Sequence, residues 1–160
     1  MHTTEEVYDA LQSVMDPEIP VLSVVDLGMI TAVDINSDGI LVKMIPTFAA
    51  CPAVQYIQRN IQTALEEKFS VAITVIIDQE TLWSTSRLAP GAKDKLEQFG
   101  IAAPQVVDGK AYNEILLQTP CPHCGSKNTY LRSPFGSTLC RAIHYCKDCS
   151  NVFEQFKPVE

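Results

Sequence analysis

Met44-Ile-Pro-Thr-Phe-Ala-Ala-Cys-Pro-Ala53 is the stretch from which the rest of the chain is read. It closes an apolar run over residues 40–45, in which Ile40, Val42 and Met44 alternate to one face as in a half-buried strand. Beyond it, Val54, Ile57, Ile61 and Leu65 recur at helical spacing, so the stretch is a strand-to-helix junction. Pro52 suits the first helical position, because its φ is preset and it has no N–H to leave unpaired. That places Cys51 at or beside the N-cap of a helix over residues 52–68. Two readings of Cys51 stay open here. It is a small buried hydrophobe, or it is a thiol whose pKa the helix N-terminus lowers.

Working outward, residues 29–35 read as a strand that meets residues 40–45 through the turn Asn36-Ser-Asp-Gly39, with Asp38-Gly39 supplying the positive-φ chemistry of a hairpin. Residues 71–77, rich in β-branched side chains, make a third strand. At the N-terminus Thr3 and Glu6 form a capping box, and Val7, Leu11 and Val14 follow at helical spacing. Asp16-Pro17 ends that helix at Met15, since the residue before proline is driven out of the helical region. Asp16-Pro-Glu-Ile-Pro-Val-Leu-Ser-Val-Val-Asp-Leu-Gly28 is too apolar for a solvated linker and packs as an ordered loop, anchored by Val21, Leu22, Val24 and Val25. The order is αββαβ, an α+β class domain with helices on one face of a sheet. A short helix over residues 90–99 is stopped by Gly100. The expected organisation is a domain over residues 1–100, a connector over 101–118 with a short strand at 112–117, and a small module over 119–160.

The 160 residues are 46 % apolar and carry a formal net charge of −7. The Lys and Arg residues are scattered, so the basic footprint of a nucleic-acid binder is missing. No apolar run approaches a membrane span, and the first residues lack the pattern of a secretory signal. A cytoplasmic protein with no nucleic-acid or membrane partner is expected.

Of six cysteines, Cys121, Cys124, Cys140, Cys146 and Cys149 lie in the last 40 residues. Cys121-Pro-His-Cys124 and Cys146-Lys-Asp-Cys149 are two CxxC pairs separated by 21 residues. Four thiolates on two such knuckles match the closed tetrahedral set of a structural zinc site, and a segment this small needs a metal in place of a large core. Iron suits the same sulfur-only set. Cys140, His123 and His144 are read as neighbours of that site, because four sulfurs complete the shell. In the N-terminal part, Asp16, Glu18 and Asp26 are carboxylates in an apolar loop. If that loop closes over Cys51, a thiolate and carboxylates would share a cleft with Thr47, an arrangement that calls for a cation between them. No dinucleotide fingerprint, P-loop or nucleophile elbow is present, and Cys51 has no histidine partner within its own domain apart from the terminal His2.

These residues resemble a known family. Asp16/Pro17/Glu18, Asp26/Leu27/Gly28 and Thr47/Cys51/Pro52 match the DPE loop, the DLG turn and the T-x-x-x-C-P segment of the SufT-like and PaaD-like iron–sulfur assembly domains, related in fold to the C-terminal domain of NifU. Trp83-Ser-Thr, Leu96-Glu-Gln-Phe-Gly100-Ile, the Cys-Pro-x-Cys-Gly-Ser knuckle and Phe135-Gly-Ser-Thr-x-Cys140 extend the likeness to the PaaD subfamily over essentially the whole chain. Two departures stand out: an acidic residue usual near Ser86 is missing, and Ala89 replaces a common Ser or Thr. The resemblance implies an accessory factor, not itself catalytic, for phenylacetyl-CoA epoxidase in aerobic phenylacetate degradation. It would assist iron or Fe–S centre assembly in the oxygenase or the Fe–S/flavin reductase subunits. A transient iron or Fe–S site at Cys51, Asp16, Glu18 and Thr47, formed with a client or across a homodimer, is implied beside structural zinc at Cys121, Cys124, Cys146 and Cys149. Two other functions compete: a non-catalytic zinc-containing docking component of the oxygenase complex, and an enzyme with a nucleophilic Cys51.

Overall fold

The Thr3–Glu6 capping box opens the first helix of the computed structural model as the sequence predicts. Glu6 N–H donates to Thr3 Oγ1 at 3.2 Å and Thr3 N–H to Glu6 Oε2 at 2.9 Å. The structure describes residues 1–48, 51–104 and 119–159. Helix α1 spans Thr4–Leu11 and buries Val7, Ala10 and Leu11. It ends earlier than Met15, because the next residues pair elsewhere: Val24 N–H donates to Val14 O, Asp16 N–H donates to Leu22 O, and Met15 bridges Ser23. The Asp16–Gly28 loop is thereby folded back on itself with Ile19, Leu22, Val24 and Leu27 buried.

Strands β1 (Ile30–Asn36) and β2 (Gly39–Met44) form the expected antiparallel hairpin, with Asn36 opposite Gly39. Gly39 adopts φ +143°, and a Cβ there would collide with the carbonyl oxygen of Ala72. Helix α2 (Val54–Lys68) lays Ile57, Ile61 and Leu65 into the core and returns the chain to β3 (Ile73–Ile77), which runs parallel to β2. The sheet order is β1-β2-β3, mixed in direction. Parallel pairing requires such a crossover, which is why the long helix lies between β2 and β3. The third strand starts at Ile73 rather than residue 71, because pairing with β2 begins at Ile40 opposite Ile73 and leaves Val71 exposed.

The described chain divides into two compact units. The first holds Met1–Trp83 with Arg87–Ala89, and the second holds Ser84–Ser86 with Pro90–Glu160. The sequence reading groups residues 90–99 with the N-terminal domain. In the structure, helix α3 (Ala92–Phe99) belongs to the second unit, because β4 (Ile101–Ala102) follows it directly and pairs parallel with β7 (Val152–Phe156). With β5 (Thr129–Ser133) and β6 (Arg141–Cys146), these strands form a second sheet in the order β4-β7-β6-β5. The strand expected at 112–117 lies outside the described residues. No helix among the described residues is long and apolar enough to cross a membrane.

Candidate functional site

In the second unit, four sulfurs converge. The Sγ atoms of Cys121, Cys124, Cys146 and Cys149 all lie within 4.8 Å of one another. Cys121 and Cys149 are 3.7 Å apart, and Cys124 and Cys146 are 3.6 Å apart. Those separations are far beyond a disulfide bond. They match the edge of about 3.8 Å expected for a tetrahedron of sulfurs around a metal held at about 2.3 Å. Among the described residues this is the one group of three or more His, Cys, Asp or Glu side chains placed to share a metal ion. Cys121 and Cys146 are buried and pack with Ala102 and Phe153, so the sulfur cluster is also part of this unit's apolar core.

The two knuckles are built alike. Cys121 N–H donates to Ser126 O and Gly125 N–H to Cys121 O, at 2.9 and 2.8 Å; Cys146 N–H donates to Asn151 O and Ser150 N–H to Cys146 O, both at 2.9 Å. Each turn needs a left-handed residue after its second cysteine. Gly125 supplies φ +76° without strain, whereas Ser150 is forced to φ +61°. Ser150→Gly removes that strain but loosens the unfolded chain, so a net gain of about 0.5 kcal/mol is expected. Thermal melting of the metal-loaded protein checks it. Asp148 ties the knuckles together by accepting from Ser126 Oγ and, at 3.0 Å, from Asn128 Nδ2. The Ser126 bond first, then that from Asn128, holds its carboxyl below the usual range.

The sulfurs titrate unequally. Hydrogen bonds from the Asn151 side chain and then its backbone bring Cys149 down to about 6, with Asn151 Nδ2 at 3.3 Å from the sulfur. Burial pushes the Cys121 thiol up. At Cys124 a backbone bond from Ser126 pulls down, but desolvation and the neighbouring sulfurs outweigh it and push the thiol up to about 12. Four thiolates at this distance cannot all be charged without a cation among them, so metal binding expels protons from Cys121 and Cys124. Affinity therefore falls as pH falls, and steepens in its fall below about 6, where Cys149 also takes a proton. Asn151→Leu should raise Cys149 and move that acid loss to higher pH, read by metal retention against pH.

The other expected ligand neighbours stay out of the cluster. His144 is fully buried, stacks on Phe153 at a centroid distance of 5.3 Å and meets Gln155 Oε1 through Nε2 at 2.9 Å. Burial holds its pKa below the ordinary value against the pull of the Gln155 bond, so it is a neutral core group. His123 is exposed.

In the first unit, the structure locates Cys51, Asp16, Glu18 and Thr47 but does not gather them into a metal-holding group among the described residues. The helix start differs from the sequence reading. Ala53 is the N-cap of α2, Pro52 lies in the preceding turn, and Cys51 stands two residues before the cap. The chain turns first at Cys51, whose N–H donates to Phe48 O at 3.0 Å, and Ala53 offers no capping side chain. The thiol is half-buried. Asp16 Oδ1 accepts from the N–H groups of Glu18 and Ile19 at 2.8 and 2.9 Å, so this carboxylate closes its own turn. Asp26 and Ser23 bond each other's backbone N–H groups reciprocally, each at 3.0 Å.

Sequence reasoning missed what fixes the DLG turn. Trp83 Nε1 donates to Leu27 O at 2.6 Å, and Arg87 reaches Gly28 O at 2.8 Å and Ile30 O at 3.2 Å. Gly28 has φ +67°, and a Cβ there would meet the Arg87 carbonyl. It also missed Ser150 and Asn151, which become visible when Cys121-Pro-His-Cys-Gly-Ser126 is laid over Cys146-Lys-Asp-Cys-Ser-Asn151.

Comparison with known proteins matches these two parts separately. Residues 4–75 match the family model described as iron–sulfur cluster assembly protein, and residues 110–157 match the PaaD zinc beta ribbon domain. A curated relative from Escherichia coli (strain K12), named as a putative component of 1,2-phenylacetyl-CoA epoxidase, is 32 % identical over 95 % of this chain and 91 % of its own. An Fe-S protein maturation auxiliary factor from Porphyromonas gingivalis is 33 % identical over 58 % of this chain and 89 % of its own. Among solved structures, a DUF59 domain of unknown function from Bacillus anthracis superposes with TM-score 0.54 at 26 % identity, covering 57 % of this chain and 89 % of that one. A conserved hypothetical protein from Thermotoga maritima does so with TM-score 0.51 at 28 % identity, covering 62 % and 96 %. With an iron–sulfur assembly fold first and a four-cysteine metal-binding ribbon after it, matched nearly end to end by a putative epoxidase component, the chain belongs to the PaaD family.

Proposed function

We propose that this protein is a cytoplasmic accessory factor that assists assembly of iron or Fe–S centres in the oxygenase or reductase subunits of phenylacetyl-CoA epoxidase. The observation that carries this reading is the joining, in one chain, of an iron–sulfur assembly domain to the zinc ribbon shared with a putative epoxidase component. The Fe-S maturation factor related to the N-terminal part supports it. We divide the labour between the first unit, which handles the cargo, and the ribbon, which holds a permanent metal. Zinc is our choice for that metal, because the shell is four sulfurs with no open position.

Cys51 is the cargo thiol in this reading. It is the one cysteine of the first unit, it is half-buried, and it stands at the head of α2. Asp16 and Asp26 already serve backbone N–H groups, which makes them supports of the loop rather than a ready-made ligand set. One thiolate does not hold a cluster, so the client or a second copy of this chain completes the shell and binding stays transient. Deletion of the gene from a strain that expresses the epoxidase tests the reading. Epoxidase isolated from the deletion strain should be deficient in iron or acid-labile sulfide, and the full-length protein should restore it. Normal metal and sulfide content in the deletion strain would refute it.

A further inference from the structure

The second sheet has two unlike faces. Strand register sets Leu131, His144 and Phe153 in one row across β5, β6 and β7, and Tyr130, Tyr145 and Val152 in the next. Alternation puts successive rows on opposite faces. The row containing His144 and Phe153 is inside. In the other, Tyr130 is 40 % and Val152 is 51 % exposed, and Tyr145 is half-buried between them. The two tyrosine rings lie 5.4 Å apart, and Lys147 Nζ sits 5.5 Å from the centre of the Tyr130 ring. Ile143, half-buried, continues the apolar surface along β6, and β5 is the last strand of the sheet among the described residues.

The charge of this face is opposite to that of the molecule. The chain carries −7 overall, yet Lys147 is exposed over Tyr130, and Arg132 is exposed at the β-bulge between Leu131 and Ser133. Glu154 is ion-paired with Arg141, and Asp148 keeps its negative charge under the neutral donors Ser126 and Asn128, so Arg132, Lys147 and Arg141 stand against two carboxylates and leave the face with a small excess of positive charge. A row of tyrosines with a basic rim has the composition of a binding hot spot. The same basic face on a second copy would be repelled, so it suits an anionic surface on another protein.

Resting on the maturation reading above, we propose that the Tyr130–Tyr145–Val152 face, with Lys147 and Arg132 at its rim, docks this protein onto one of the epoxidase subunits. The matching patch on that partner is apolar at its centre and anionic at its edge. Single-stranded nucleic acid also stacks on aromatic side chains beside basic ones, but the net negative charge of this chain disfavours it.

Titration calorimetry of the metal-loaded full chain against the purified epoxidase subunits tests the proposal. Tyr130→Ala, Val152→Asp and Lys147→Glu should each weaken binding by about 10-fold or more, with metal content and far-UV circular dichroism unchanged. Wild-type affinity should fall as salt is raised. Unchanged affinity in all three variants, or no binding of the wild type to any of the subunits, overturns the docking face. Salt-insensitive binding overturns the anionic partner. Binding of a fluorescent single-stranded oligonucleotide that the same variants abolish would reassign the face to nucleic acid. Metal and sulfide content of the epoxidase from the deletion strain reports on maturation independently of all these results.

Discussion

Cys121→Ser is expected to unfold the C-terminal ribbon. Cys121 is 2 % exposed, lies in the only sulfur cluster among the described residues and packs with Ala102, Cys146 and Phe153, so metal ligand and core are the same atoms. A serine there leaves three sulfurs, removes the metal's contribution to folding and places a hydroxyl among apolar neighbours. Structural zinc in small sulfur-bound modules supplies roughly 10 kcal/mol or more of apparent binding energy at neutral pH. That is as large as the whole stability of a typical domain. The first unit has its own core in Leu11, Leu22, Val42, Ile61 and Leu65, all fully buried, and should keep its fold. Amide hydrogen exchange should show loss of protection over β5–β7 and retention over β1–β3 and α2, with metal falling well below about one ion per chain. Chelation of the wild-type protein should give the same pattern. A variant that keeps protection in β5–β7 without metal would contradict it.

Cys51→Ala is expected to do the reverse, sparing structure and abolishing function. The side chain is half-buried and stands before the helix cap. Truncating it should cost about 1 kcal/mol or less, the range of small substitutions away from a tightly packed core. Metal in the ribbon should be unchanged. If Cys51 is the cargo thiol, however, the variant should fail to restore iron and sulfide to the epoxidase in the deletion strain, with recovery at least about 10-fold below wild type, because the first unit then offers iron no thiolate. Cys51→Ser should fail as well, which separates thiolate chemistry from packing. Full restoration by Cys51→Ala would leave the docking face and the ribbon as the working parts.

The fold was legible where short-range chemistry is strong. The Thr3–Glu6 box, the Asp38-Gly39 hairpin and the Ile57/Ile61/Leu65 stripe appear as read. So does the sulfur cluster, because CxxC spacing is a direct geometric statement about where four ligands meet. The errors arise where a distant segment competes. Helix α1 ends at Leu11 because Val14–Asp16 find partners in residues 22–24, and α3 groups with the ribbon because β4 pairs with β7, some fifty residues on. The start of α2 moved past Cys51, whose N–H bonds back to Phe48 O before the helix begins, a contact that Pro52 alone does not encode. Asp16 and Asp26 read in the sequence as carboxylates of a loop that could close over Cys51; the backbone N–H groups they accept from, which brace that loop, carry no signal in the sequence read alone.

The central claim, that this chain hands iron or a cluster to the epoxidase through Cys51, is tested most directly by transfer in vitro. Full-length protein is loaded anaerobically with isotopically labelled iron and sulfide, desalted, and mixed with the metal-free client in the presence of a soluble iron chelator. The account predicts that label appears in the client as a spectroscopically defined centre, that the ribbon keeps its own metal, and that Cys51→Ala protein transfers none. Label captured entirely by the chelator, or transfer by Cys51→Ala equal to wild type, would contradict it.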